Sequence, residues 1–186
     1  MIYINDNTEI INVEKSLSQL SKQRRERVLK FRNDSSKKLS IAAYLLLRDA
    51  LNKEFGITTL PEFSFSKDGK PFLNDYPEIF FSFSHSKNVA ICAIDTQPIG
   101  ADIEVFRDIG VDMINYSMND KEQQIILSSA NRSATFLKIW TQKESVFKLI
   151  GTGIDNNLKN ILNNNTKYSI ESFETDKMVY SIAKYI

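Results

Sequence analysis

Three carboxylates and a lone histidine are the residues of this chain best suited to chemistry. Asp102 and Glu104 flank one apolar residue in "GADIE". Strand side chains alternate between faces, so on a strand both carboxylates point the same way, as oxygen ligands of a hard cation must. Spacing alone does not single the pair out, because Asp120/Glu122 and Glu174/Asp176 repeat it. Its context does: it closes an apolar run, where a desolvated carboxylate pair needs a cation or a partner. A solvated strand end is the plain alternative. Glu144 in "WTQKESVFK" is a third carboxylate, with Lys148 one helical turn on. That spacing is usually a surface ion pair, yet Trp140 and Phe147 put Glu144 on or beside the apolar stripe. His85, the only histidine, stands between two serines in "FSHS". The group reads either as a hydrogen-bonded turn or as hydroxyls and amides that receive a phosphate. Lys70 in "DGKP" and the run "KQRRERVLK", with Arg24 and Arg27, add positive charge whose ordinary reading is a solvated face. "GTG" after Lys148 is too short to cradle a phosphate and reads as a helix stop.

The elements that must position these groups follow from periodicity. Leu17, Leu20, Val28 and Phe31 recur near helical spacing, which predicts a helix over 13–31 with a basic face. "KKLSIAAYLLLRDALNKEF" predicts a deeply buried helix stopped by Gly56. "FSFSKDGKPFL" predicts a hairpin about Asp68-Gly69, "IFFSFS" and "VAICAI" paired strands joined across "HSKN", and "PIGADIEVF" a further strand. Helices are predicted at "NDKEQQIILSSA" and at "SATFLKIWTQKESVFKLIG", the latter ending at Gly151. "DNNLKNILNNN" reads as an irregular surface loop and "YSIESFETDKMVYSIAKYI" as a closing hairpin turning at "ETDK". Helices then strands, twice over, give an α+β class: two similar lobes, 1–98 and 99–186, each with helices packed on a small, mainly antiparallel sheet. Such lobes would be related by a pseudo-twofold.

The bulk numbers bound the partners. Lysine plus arginine number 24 against 23 aspartate plus glutamate over 186 residues, a net charge of +1. That balance points to neither bulk nucleic-acid binding nor membrane-surface attraction. No apolar run approaches a membrane span and "MIYINDNTEI" lacks the marks of a signal peptide, so a cytoplasmic location is expected. The single cysteine, Cys92, forms no internal disulfide or cysteine-clustered zinc site and reads as a small core residue.

In order along the chain stand "GKP" (69–71), "SHS" (84–86), "GADIE" (100–104) and "WTQKESVFK" (140–148). Together they resemble the 4′-phosphopantetheinyl transferase family in its larger, two-lobed, Sfp-like form. The resemblance runs from the basic helix at residue 22 to the Gly151 loop. It implies Mg²⁺ held by Asp102, Glu104 and Glu144 against the pyrophosphate of coenzyme A. It also implies coenzyme A contacts at Lys70, Ser84, His85 and Lys148, with Arg24 and Arg27 as further basic positions. Where some members carry a phosphate-binding arginine in the second helix this chain has Leu39, and the adjacent Lys38 is the expected substitute. The implied reaction moves 4′-phosphopantetheine from coenzyme A to a serine hydroxyl of an apo acyl or peptidyl carrier protein. Asp102, Glu144 and Lys148 are its catalytic residues, and Glu144 or a water on the cation its base. A site between lobes of one chain implies a monomer. The same three carboxylates would also suit a metal-dependent phosphodiesterase or nuclease, which would hydrolyse a diester with no carrier present. A non-catalytic nucleotide-binding module is a third reading, with no replaced ligand in its favour.

Overall fold

The computed structural model describes residues 1–154, 157–163 and 166–186. The chain opens with strand β1 (Ile2–Asn5), a short 3-10 turn, and helices α1 (Val13–Leu17), α2 (Lys22–Leu29) and α3 (Asp34–Phe55). A hairpin of β2 (Phe63–Phe65) and β3 (Pro71–Leu73) precedes the long strands β4 (Phe80–Ser86), β5 (Val89–Asp95) and β6 (Ile99–Val105). Helices α4 (Val111–Ser117), α5 (Asp120–Ser128) and α6 (Arg132–Ile150) then lead to the closing hairpin of β7 (Tyr168–Glu174) and β8 (Met178–Tyr185). The strands form antiparallel sheets β1-β5-β4, β2-β3 and β6-β8-β7, so the expected α+β class holds.

Each three-stranded sheet is backed by one long helix: α3 lies on the first and α6 on the second. Both helices have clear stops. Gly56 takes φ 68° after α3 and Gly151 φ 91° after α6, a left-handed backbone that glycine adopts without a Cβ clash. Asn33 and Asn131 cap the starts by accepting hydrogen bonds from the amides of Ser36 and Ala134. Under α3, Ile41, Tyr44, Leu47 and Leu51 pack with Phe63, Phe81 and Cys92. Between the two sheets Val89, Ile91 and Ala93 of β5 meet Ile99, Ala101 and Ile103 of β6 and Ile182 of β8, so the sheets share one apolar layer.

Four expectations from the sequence are corrected. The helix over 13–31 is two helices: Ser21 accepts from the Arg24 amide and restarts the chain as α2, and Phe31 lies beyond the end of α2. The strand pair does not turn at "HSKN", because His85 and Ser86 continue β4 opposite Ala90 and Val89, and Lys87 takes the tight turn at φ 50°. The asparagine-rich segment is not all surface: Leu158 and Ile161 are buried against Val146 and Leu149 of α6. Of that segment, residues 155, 156, 164 and 165 lie outside the described residues. Finally, β1 and α4 add elements the sequence reading lacked.

Candidate active site

The site is built on a seam. β4 and β6 run side by side without a shared backbone ladder, and three alternate serines of β4 bridge them. Ser82 Oγ accepts from the Ala101 amide at 3.0 Å, Ser84 Oγ donates to Asp102 Oδ1 at 2.6 Å, and Ser86 Oγ donates to Glu104 Oε2 at 2.5 Å. The period of two in "FSFSHS" separates two jobs. The serines face β6 and its acids. Phe81 and Phe83, alternating with them, join Phe63 in edge-to-face contacts at 5.5 and 6.0 Å under α3.

Helix α6 brings the remaining groups to the seam through an unusually close approach. A Cβ on Gly100 would lie 2.0 Å from the Ser145 carbonyl oxygen and 2.5 Å from the Leu149 nitrogen, so only glycine lets α6 lie on β6 at this depth. From that helix Lys148 Nζ reaches Asp102 Oδ1 at 2.6 Å. Glu144, one turn earlier, stands near both β6 acids. Burial, then the charges of Asp102 and Glu104, push its carboxyl up to about 7 despite Lys148 nearby. Asp102 is fully buried and also shifted upward, by desolvation first, with Lys148 and Ser84 pulling the other way.

Two cavities adjoin this cluster, both walled by Phe65 and Phe83. The first, about 330 Å³, is lined by Lys70, Glu144, Phe147, Lys148 and Gly151. The second, about 230 Å³, is lined by Arg24, Arg27, Ser36, Ser40 and His85. Arg24 is buried against Phe63, with its guanidinium 5.5 Å from the ring centroid, and donates to the Ser40 carbonyl at 2.8 Å. Desolvation, then the neighbouring Arg27, lower its pKa to about 10. Its Nε and the Ser40 hydroxyl are buried with no hydrogen-bond partner among the described residues. A buried cation with an unpaired donor, beside a cavity that Arg27 and His85 also line, suits an anion. His85 retains substantial exposure on this wall; desolvation, then Lys148, lower its pKa, so it favours the neutral ring.

The carboxylates pass a chemical test for a cation. Asp102 Oδ2 is buried and without a hydrogen-bond partner among the described residues, although Oδ1 has two. A lone oxygen of a buried carboxylate, with the upward shifts of Asp102 and Glu144, marks a concentration of negative charge that a hard divalent cation would relieve. The acids do not close into a finished cluster: among the described residues no three Asp, Glu, His or Cys side chains converge on one point. Lys148 holds Asp102, and Arg107 holds Glu104, drawing the two acids toward separate counter-ions.

The residues singled out in the sequence thus divide. Asp102, Glu104, Glu144 and Lys148 come together. Arg24, Arg27 and His85 come together at the second cavity. Lys70 lines the first cavity with its Nζ donating to the Leu149 carbonyl at 2.5 Å, and its aliphatic stem covers Gly151. Ser84 is a partner of Asp102. Lys38 is turned away: its Nζ binds the Glu9 carbonyl at 2.7 Å and the Glu9 carboxylate at 3.1 Å, and it lines neither cavity. Leu39 and Ser36 occupy that wall instead.

Lys143 escaped the sequence reading because a lysine normally reads as surface. It is fully buried and donates to Glu122 at 2.7 Å, the Ser117 carbonyl at 2.9 Å and the Leu158 carbonyl at 2.9 Å. It therefore ties α4, α5 and the 157–163 turns to the helix that carries Glu144. Its one signal in the sequence is position: it falls at helical spacing from Phe136, Trp140, Phe147 and Ile150, on the apolar stripe of an amphipathic helix.

Comparison with known proteins finds a family match in the second half of the chain: residues 98–183 match the 4′-phosphopantetheinyl transferase superfamily. The chain is 29% identical over 144 residues to the 4′-phosphopantetheinyl transferase Sfp of Bacillus subtilis, covering 76% of this chain and 64% of that protein. It is 32% identical over 141 residues to the 4′-phosphopantetheinyl transferase gsp of Aneurinibacillus migulanus, covering 74% and 58% respectively. The transferase HetI of Nostoc is 31% identical over 119 residues, 59% of this chain and 50% of that protein. The chain therefore spans less than two thirds of the length of these relatives.

Proposed function

We propose that the protein transfers 4′-phosphopantetheine from coenzyme A to a serine hydroxyl of an apo carrier protein, releasing adenosine 3′,5′-bisphosphate. The observation that carries the reading is the pairing of two unlike ends on one seam: an anion receptor at Arg24 and His85, and the buried Asp102 with the half-buried Glu104 and Glu144 near it. A nucleotide with a phosphate at one end and a reacting pyrophosphate at the other fits that polarity. Lobes 1–98 and 99–186 supply one end each, which makes a monomer in the cytoplasm sufficient. No helix among the described residues is long and apolar enough to cross a membrane.

In this reading Arg24, Arg27 and His85 hold the nucleotide phosphate. Lys70 and Lys148 face the pyrophosphate from the first cavity, where Lys70 would exchange the Leu149 carbonyl for a phosphate oxygen. Asp102, Glu104 and Glu144 would hold Mg²⁺, which when bound offsets the charge that builds on the phosphoryl oxygens. The carrier serine oxygen forms the new bond to the pantetheine phosphorus as the bond to adenosine bisphosphate breaks. Glu144 is the group of this chain assigned to take the serine proton, with a water at the cation as the alternative base. Phe65 and Phe83 wall the path between the ends.

The test is direct. The protein is mixed with coenzyme A, Mg²⁺ and an apo carrier, and the carrier mass is measured. Gain of one phosphopantetheine is expected. No gain across acyl and peptidyl carriers, with hydrolysis of a phosphodiester in their absence, would instead establish a phosphodiesterase.

A further inference from the structure

Glu104, unlike Asp102, comes with a guanidinium already seated on it. Its Oε2 accepts from Ser86 Oγ and from Arg107, three residues on, in a partly buried ion pair. Arg107 lies in the 106–110 connection, which is pinned on both sides. The Phe106 amide donates to the Lys177 carbonyl at 2.9 Å, and the Ile109 amide to Ser133 Oγ at 3.2 Å. The backbone is thereby held in place, and the side chain, 35% exposed, is the part free to swing. Asp102 has Lys148 and Ser84 on Oδ1, and its Oδ2 is buried with no hydrogen-bond partner among the described residues.

We propose that Arg107 competes with the divalent cation for Glu104 and so weakens cation binding to the protein without substrate. Both partners of Glu104 sit on Oε2, and a divalent cation approaching the carboxylate through Oε1 would still stand close to the guanidinium, whose like charge repels it. Exchange breaks the ion pair and leaves two positive groups close together until the guanidinium moves out. Asp102 and Glu144 would then take the cation first, and Glu104 would join as Arg107 leaves. The freed guanidinium would stand at the rim of the site, where a phosphate oxygen is an available partner. Because the pair is partly open to solvent, the handicap is modest, about fivefold in affinity.

The inference rests on reading the acids as a cation site, and the experiment separates the two. Mn²⁺ binding to the whole chain is measured without coenzyme A, by the electron paramagnetic resonance of free Mn²⁺. Arg107→Gln is expected to bind Mn²⁺ about fivefold more tightly than the unaltered protein. Arg107→Lys, which restores a competing charge, is expected to bind nearly as the unaltered protein does. Unchanged or weaker binding by Arg107→Gln overturns the proposal, as does Arg107→Lys binding as tightly as Arg107→Gln. Asp102→Asn is the control for the underlying reading: if it binds Mn²⁺ as well as the unaltered protein, the carboxylates are not the cation site at all.

Discussion

At the scale of single residues, the site is defined by groups displaced from their ordinary ionisation. Glu144 is the sharpest case, raised from 4.5 to about 7 by burial and by its acidic neighbours. A carboxyl whose folded pKa lies above its unfolded value binds its proton more tightly in the folded state. It therefore supports the fold below about pH 4.5 and loses that support as pH rises toward 7. In chelator, Glu144→Gln should gain on the unaltered protein across that window, by roughly 2 kcal/mol at its upper end, read from urea unfolding at a series of pH values. A difference that does not change with pH would refute the shift. A second test divides the two ends of the seam: His85→Ala should raise the coenzyme A KM more than it lowers kcat, and Asp102→Ala should nearly abolish turnover. Steady-state kinetics with coenzyme A varied would show it, and an unaltered KM with collapsed kcat in His85→Ala would contradict the phosphate-holding role. The acids and the histidine were legible in the sequence because their types stand out among apolar neighbours. The unpaired atoms of Arg24, Ser40 and Asp102 were not, since pairing is decided by residues far along the chain.

At the scale of elements, the sequence is clear where local rules decide and silent where packing does. Gly56 and Gly151 mark their helix ends, and Asp68-Gly69 its hairpin, because a positive φ or a tight turn narrows the choice of residue. The break at 18–21 hides inside an apolar period that both short helices happen to continue. Strand β1 had a signal, the strand-favouring Ile2-Tyr3-Ile4 closed by the turn residues Asn5-Asp6-Asn7, but it is only four residues long and forms by pairing with β5. The role of Gly100 is also invisible locally, being a matter of the distance to α6. Gly100→Ala should cost about 3 kcal/mol and weaken activity by lifting α6 from β6, measured by urea unfolding with assay of the folded fraction. Lys143→Met should cost roughly 3 to 5 kcal/mol, because Glu122 would be left as a buried charge without its partner. Adding Glu122→Gln to Lys143→Met should return part of that loss; no recovery would mean that the lysine stem, not the charge pair, matters.

At the scale of the whole molecule, a division into lobes is readable from the order of elements, but the layer they share is not. Val89, Ile91 and Ala93 alternate no differently from any core strand, and nothing local says that their neighbours are Ile99 and Ile182. That common layer predicts one cooperative unfolding transition: the fluorescence of Trp140, in the second half, and far-ultraviolet circular dichroism should fall together in urea. Separate midpoints would show that the halves melt independently. Lys22 and Arg25 of α2 are exposed and give that helix a basic outer face, Arg25 Nε donating to the Leu17 carbonyl. If the partner is an acidic carrier, its KM should rise with salt, and Lys22→Glu with Arg25→Glu should raise it further at low salt. The serine bridges of the seam carry a last consequence, for genetics. The acids that β4 grips through Ser84 and Ser86 are also two of the three proposed cation ligands, and Asp102 is proposed as catalytic besides, so joinery and chemistry would use the same side chains. An allele lacking Asp102 would alter how much protein a cell retains as well as what that protein can do. Lost turnover and changed abundance would then coincide, so abundance would have to be measured before silence is assigned to the reaction.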